Sequence, residues 1–455
     1  MRVRVAYVVS LLCVFGQAVP ARQSPPLPSP SGGVTINLEE ALARARKYGA
    51  QVETANIAAQ LARQDRVQAR AASLPTVSGF NQFIYTQGNG TPSGVFVAND
   101  GVHVYNEQLQ AHEELFSFIR RGEIRLAAAA EAVAIARTGV VVRGLRATVI
   151  QDYYAIASAQ RKLINAQTSL SEAGRFLDIT QKQERGGEAA HADVIKAQIQ
   201  AQQRQRDVQD AALAIQKTKI ALAVLTFPTL ELNYEIVDDL AQVAVLPALP
   251  EATAQAKTNS PDVRAAQAVV TQARVGVNVA RYAYLPSLGL DVFYGINANQ
   301  FAARTDYPTQ DTGRSTLPNY LVPFRQNLGY SAQATLNVPI WNWGSIHSKV
   351  KQASLRERQS ELDLTTAQKQ LQADLASAYQ DAQTAVAQIQ SLRSSADLSA
   401  ESLRLTLLRY QAGEATALEV SDAQTTSSLA RNAYDDGLVR YRVAFATLQT
   451  LTGNF

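Results

Sequence analysis

The chain has 455 residues, a formal net charge of +4 and a hydrophobic fraction of 46%, enough to build a sizeable core, and its acidic and basic residues are mixed rather than blocked. That mixing excludes a nucleic-acid footprint, and a single cysteine excludes a disulfide framework. Beyond the N-terminus no stretch approaches ~18 consecutive apolar residues, so any membrane crossing must be made by strands closed into a barrel.

In chain order, Arg2 and Arg4 precede an apolar run over 5–15 and the small residues Ala18 and Ala21. Residues 1–21 therefore read as a cleaved secretory signal, since the run falls well short of the ~20 residues of a spanning helix. Cys13 leaves with it; Leu12 before it and Val14-Phe15 after it do not form a lipidation site, so the mature chain carries no thiolate chemistry. Residues 22–37 are Pro- and Ser-rich and read as a flexible leader.

Asn37-Leu38-Glu39-Glu40 has the form of a capping box and predicts a helix running to about Ala72. Leu74-Pro75 ends it, because the residue before proline is pushed out of the helical region. Two strands are expected over 77–85 and 102–116, although they alternate poorly and Glu107 and Glu113 are awkward on a lipid-facing side. A helix follows from Gly122 to about Arg185, on the order of 95 Å long at 1.5 Å per residue. Val142, Val149, Ile156, Leu163, Leu170 and Leu177 recur in it every seventh residue, with Ala159, Ala166 and Ala173 in the second seam position. Gly187 reverses the chain into a return helix ending at about Thr226, and 227–248 form a linker.

The pattern is then written again over 249–453. Ala69-Arg70-Ala71-Ala72-Ser73-Leu74-Pro75 matches Ala280-Arg281-Tyr282-Ala283-Tyr284-Leu285-Pro286, and Gly122 is matched with Gly344. Gly187-Glu188-Ala189, Asp193-Val194 and Ala197-Gln198 recur at identical spacing as Gly413-Glu414-Ala415, Glu419-Val420 and Ala423-Gln424. Shared Ala/Gln composition does not explain matched glycine, proline and acidic positions in one order. The strands of this half, 287–298 and 327–340, alternate apolar with polar residues and suit tilted bilayer-crossing strands of ~9–11 residues. Leu375, Ala382, Ile389, Ala396 and Leu403 set a second heptad in the following helix. Four strands cannot close a membrane barrel, so several copies have to pool theirs.

No enzyme is expected. His103, His112, His191 and His347 are scattered without metal-ligand spacing, no nucleophile–base set converges, and no metal or cofactor is implied. The other non-enzyme reading is a periplasmic coiled-coil adaptor or structural spacer, which leaves the alternating strands unexplained.

Taken with Asn37-Leu38-Glu39-Glu40-Ala41-Leu42, Ser260-Pro261-Asp262-Val263-Arg264-Ala265-Ala266, Tyr284-Leu285-Pro286-Ser287, Val338-Pro339-Ile340-Trp341-Asn342-Trp343-Gly344 and Tyr410-Gln411-Ala412-Gly413, the mature chain resembles the TolC-like outer membrane efflux family over nearly its whole length. The resemblance implies a mainly helical, internally duplicated fold with a membrane β part. Three copies would form an α-barrel continuous with a twelve-stranded β-barrel, four strands from each, with an equatorial belt from 227–250 and the chain ends. It implies residence in the outer membrane of a Gram-negative bacterium, reaching into the periplasm. It further implies passive conduction of drugs, other small toxic compounds or secreted proteins, and partnership with a periplasmic adaptor and an inner-membrane pump.

The resemblance also places the periplasmic tip at the two reversals. Gly187, Glu188, Tyr410, Gly413 and Glu414 are the candidate adaptor contacts, beside the simpler reading of the glycines as helix C-caps. Glu419 and Asp422 share a helix face and match acidic positions that ring the constriction, although Thr416-Ala417-Leu418-Glu419 is also a capping box in which Glu419 satisfies a backbone donor. Asp193 corresponds to Glu419 in the first half and is a candidate partner in a closed-state contact. The family's basic residue two after the second glycine is Ala415 here, so the latch of the entrance is left open.

Overall fold

The computed structural model describes residues 34–85, 103–242, 245–298 and 328–453. Residues 1–21, read above as a signal peptide and containing Cys13, most of the segment read as a leader, Val102 and Asn327 lie outside the described residues.

The elements run β1 (Val34–Ile36), α1 (Leu38–Tyr48), α2 (Ala50–Ala71), β2 (Thr76–Tyr85), β3 (His103–Phe116), α3 (Phe118–Gly186), α4 (His191–Thr226) and β4 (Tyr234–Ile236). They continue with α5 (Leu249–Asn259), α6 (Pro261–Tyr282), β5 (Ser287–Ala298), β6 (Leu328–Asn337), α7 (Ser345–Gln411) and α8 (Ala417–Thr452). The two halves carry helices of matching length: 11 and 11 residues, 22 and 22, 69 and 67, 36 and 36.

These helices form one wall. Beside the sheet the packing order is α2, α3, α6, α7; at the other end it is α4, α3, α8, α7. The helices α3 and α7, each roughly 100 Å long, run the whole height, while α2 stacks over α4 and α6 over α8. Alanine in the seams allows this close packing; Ala157, Ala173, Ala382 and Ala385 are almost fully buried. The strand order β2-β3-β5-β6, antiparallel throughout, continues the same sequence of neighbours, so the sheet is the top of the wall.

The single helix expected over 38–72 is broken. Asn37 caps α1 by accepting the Glu40 N–H at 2.8 Å, but Glu40 turns its carboxylate to Arg44 at 2.6 Å instead of completing the box. At Gly49 the backbone leaves the helical region, and a Cβ there would lie 2.5 Å from the Ala45 carbonyl oxygen and 2.9 Å from Leu145. The second half breaks at the same place by other chemistry: Ser260 caps α6 through the Val263 N–H, and Pro261 starts the helix without needing a donor.

The end of the leader is a strand rather than flexible chain, because β1 pairs in parallel with β4 from the linker. Sequence alternation is invisible in three-residue strands. This small sheet packs on α3 in the largest core of the protein, around Ile36, Tyr153, Tyr154, Tyr234 and Leu240. The Tyr153 hydroxyl donates to the carbonyls of Val237 at 2.7 Å and Ile36 at 3.3 Å, tying both strands to α3, and burial pushes its pKa up to about 12. With α1 and α5, these short strands form a belt at mid-height.

The pairing of Gly122 with Gly344 is not reproduced. Gly344 is the N-cap of α7 with φ of 78°, whereas Gly122 lies inside α3, where a Cβ would sit 2.9 Å from Val279 and 3.0 Å from Tyr282 of α6. One glycine turns the chain; the other lets two helices touch.

Candidate functional site: a two-faced sheet and a helical tip

Register decides which residues share a face of the sheet. The pairs Val77↔Ala111, Gly79↔Leu109, Leu109↔Tyr294, Ala111↔Val292, Val292↔Ala332, Tyr294↔Tyr330 and Leu290↔Ala334 line up one side. The pairs Ser78↔Gln110, His112↔Asp291, Asp291↔Gln333 and Gly289↔Thr335 line up the other. One side is therefore mostly apolar and the other mostly polar, even for the first-half strands whose own alternation is poor. Glu107 and Glu113 do fall on the apolar side, opposite Asn81 and Leu290. On the polar side His112 Nδ1 lies 2.6 Å from Asp291 Oδ1.

Within one chain the outer strands β2 and β6 leave the sheet open at both edges. The last strand also stops earlier than its alternation suggests, at Asn337, and Val338–Pro339–Ile340 leads to an exposed, edge-to-face pair of Trp341 and Trp343 with centroids 5.7 Å apart. The turn into α7 puts Trp343 at φ 52° and Gly344 at φ 78°.

At the opposite end each hairpin closes on a left-handed glycine. Gly187 has φ 81° and Gly413 has φ 77°, and a Cβ at either would meet nothing, so backbone conformation alone demands glycine. The following N–H reaches back over each helix end: Glu188 to the Gln183 carbonyl and Glu414 to that of Arg409, both at 2.8 Å. Gly187, Glu188, Gly413 and Glu414 are all exposed.

Tyr410 differs from the other tip candidates. It is 6% exposed, its ring packs edge-on to Phe176 at 5.2 Å, and its hydroxyl lies 3.3 Å from Thr180 Oγ1. The Gln183 side chain donates to its carbonyl at 3.1 Å. Tyr410 thus joins α7 to α3 as part of the tip core instead of presenting a surface.

Glu419 is engaged in the capping box. Its backbone N–H donates to Thr416 Oγ1 at 3.3 Å, while its Oε1 accepts from the Thr416 N–H at 3.4 Å and hydroxyl at 3.2 Å. Arg409 adds an ion pair at 3.7 Å. Asp422, one turn on, is exposed and has no ion-pair partner among the described residues. Asp193 pairs loosely with Lys196 at 3.5 Å.

Between the two hairpins runs a polar seam that the sequence did not reveal. Arg431 of α8 holds Glu172 of α3 through both guanidinium nitrogens at 3.0 and 2.8 Å, and Arg161 of α3 bridges Asp435 at 3.0 Å and Asp238 at 2.8 Å. Asn165 donates to Asp435 at 2.8 Å, and Gln200 of α4 donates to Gln424 of α8 at 2.8 Å. These side chains are far apart in sequence and carry no local signature that links them.

Against this geometry, the family model described as "Outer membrane efflux protein" matches residues 37–226 and 252–454. The chain belongs to the outer membrane efflux protein family. It is an outer membrane protein of the Gram-negative envelope that extends into the periplasm. Over 284 residues it is 25% identical to the pyoverdine export outer membrane protein OpmQ of Pseudomonas putida, a match covering 61% of this chain and 55% of that protein. The chain thus spans about half the length of that curated relative.

Solved channels share the fold at low identity. The outer-membrane channel OprN matches with a TM-score of 0.76 at 17% identity, covering 92% of this chain and 90% of OprN. CmeC of Campylobacter jejuni matches at 0.75 and 17%, covering 91% and 85%. The open state of MtrE of Neisseria gonorrhoeae matches at 0.70 and 21%, covering 91% and 88%.

Proposed function

We propose that three copies of this efflux protein join edge to edge into a passive channel-tunnel, the outer membrane component of a tripartite efflux or type I secretion system. The observation that carries this reading is the open sheet with one apolar and one polar face, continuous in strand and helix order with the wall below it. An open edge invites a strand from another chain, and only closure satisfies every backbone donor in lipid. Four strands from each of three copies exceed the smallest known barrels of 8 strands and leave a polar, water-filled interior.

Drugs and other small toxic compounds are the proposed cargo, and pyoverdine export by the relative OpmQ keeps a small secreted organic molecule within the same class. A periplasmic adaptor and an inner-membrane pump are the proposed partners, and the pump supplies the energy, since a passive duct has none. The exposed turns at Gly187-Glu188 and Gly413-Glu414 are the proposed adaptor contacts, with Tyr410 supporting them from inside. Asp422, free of partners among the described residues, is the best-placed carboxylate for a constriction ring, with Glu419 and Asp193 nearby on matching turns.

Extraction from outer membranes and electrophoresis with and without heating tests assembly: a heat-modifiable trimer with conductance in planar bilayers is expected. A chain that stays monomeric and soluble without detergent would replace the duct with the spacer reading.

A further inference from the structure

At belt height a cluster of arginines plays no part in the duct described above. Arg146 of α3 is half-buried, yet has no hydrogen bond or ion pair among the described residues. Burial, and repulsion from Arg46 of α1, hold its guanidinium below the ordinary arginine range. Arg143 lies three residues earlier on the same helix face and is held by Asp262 at 3.0 Å. Arg264 of α6 donates to the Thr258 carbonyl at 3.1 Å and has no carboxylate partner among the described residues.

Arg143, Arg146 and Arg264 line a cavity of about 260 Å³ at the start of α6. Arg46 and Arg146 line a second, of about 500 Å³, together with Glu39. Asp262 is held by Arg143 and Glu39 lines only the larger cavity, so the four guanidiniums outnumber the two carboxylates and the cluster keeps an excess of positive charge. A half-buried cation without a counter-charge is costly, and each guanidinium offers a planar fork of donors that fits phosphate or carboxylate oxygens. The positive end of α6 faces the same cavity. The smaller cavity has room for a compact anion and its waters, at ~30 Å³ per water.

We propose that Arg46, Arg143, Arg146 and Arg264 form a binding site for an oxyanion, a phosphate or carboxylate group, at the centre of each protomer. A second copy of the chain is a poor candidate for the occupant. The site lies over α3 and the junction of α6 with α8, the two middle positions of the wall, whereas the edge-to-edge joining proposed above would use the outer positions held by α2, α4 and α7. An anion there would fasten belt to wall where α1, α3, α6 and the end of α8 come together.

The test uses the purified full chain in detergent, titrated at fixed pH and ionic strength with inorganic phosphate and, separately, acetate, with thermal midpoint and heat of binding as readouts. A saturable rise in midpoint is expected with at least one of them, and whichever anion saturates names the source. Arg146→Gln should weaken that binding by roughly tenfold or more, and should melt no lower than the parent in anion-free buffer because repulsion from Arg46 is gone. Arg358→Gln, on the exposed face of α7, should respond like the parent. If Arg146→Gln does not assemble, Arg264→Gln serves in its place. Identical titrations of variant and parent, or no saturable rise with either anion, would overturn the proposal.

Discussion

The hydroxyl of Tyr410 meets Oγ1 of Thr180 at 3.3 Å inside the tip, so the last turn of α7 is bonded to α3, a helix from the other half of the chain. Both groups are buried, and the Gln183 amide reinforces the contact on the Tyr410 carbonyl. Tyr410→Phe should therefore cost about 0.5–1.5 kcal/mol, the net worth of one hydrogen bond, while Tyr410→Ala should cost about 3–5 kcal/mol by emptying the ring's place beside Phe176. Proteolysis at the tip, followed with denaturant melts, would report the order parent, Phe, Ala; equal cutting of all three would deny Tyr410 this role.

The two turn glycines should behave alike. Since a Cβ meets no atoms at Gly187 or Gly413, alanine at either position pays only for the left-handed backbone, about 1–2 kcal/mol. Asparagine, which tolerates that region, should recover part of the loss at both. Thermal melts of the four single variants are sufficient, and a larger penalty at one turn would point to a contact in the assembled particle.

Arg431 and Glu172 are both about one-fifth exposed and joined by two short bonds. Removing either partner should destabilise by about 1–3 kcal/mol, because the survivor stays partly buried without its counter-charge. The double variant Arg431→Met with Glu172→Leu should lose less than the sum of the singles. Additive losses in this double-mutant cycle would mean that the pair does not couple α8 to α3.

Asp152 gives a pH signature. Burial raises its pKa, and it has no ion-pair partner among the described residues. The folded state thus holds this proton more tightly than the unfolded chain does. Stability from this group is full below the usual carboxylate range and falls as pH rises through the raised folded value. Asp152→Asn should melt higher than the parent at neutral pH and lose that advantage at acidic pH. An advantage that persists unchanged into acid would place the effect elsewhere.

Selectivity distinguishes the acidic candidates at the tip. Asp422→Asn should lower the cation preference of bilayer currents without a change in melting temperature, since no contact is broken. Glu419→Ala should mainly weaken the α8 cap, at about 1 kcal/mol, because it removes the oxygen that accepts the Thr416 N–H. Unaltered reversal potentials in Asp422→Asn would move the constriction away from this turn.

Periodicity, proline and glycine made most of this protein legible from its residues. The heptads of α3 and α7, the Leu-Pro stops, the two turn glycines and the alternation of β5 and β6 are local patterns set by side-chain spacing along one element. What depends on neighbours distant in sequence was decided only in three dimensions. Register put the weakly patterned β2 and β3 on a two-faced sheet and brought Glu107 and Glu113 to its apolar side. The Ala45 carbonyl and Leu145 left room for no side chain at the break at Gly49, and partner strands in the belt ordered Val34–Ile36. Tyr410 turned inward because Phe176 and Thr180 left a place for it, and Arg431 met Glu172 across 259 residues of chain. The sequence by itself thus specified each element through its own repeating chemistry, whereas tertiary structure chose partners, because close packing and charge pairing depend on which surfaces the folded wall brings within a few ångströms of one another.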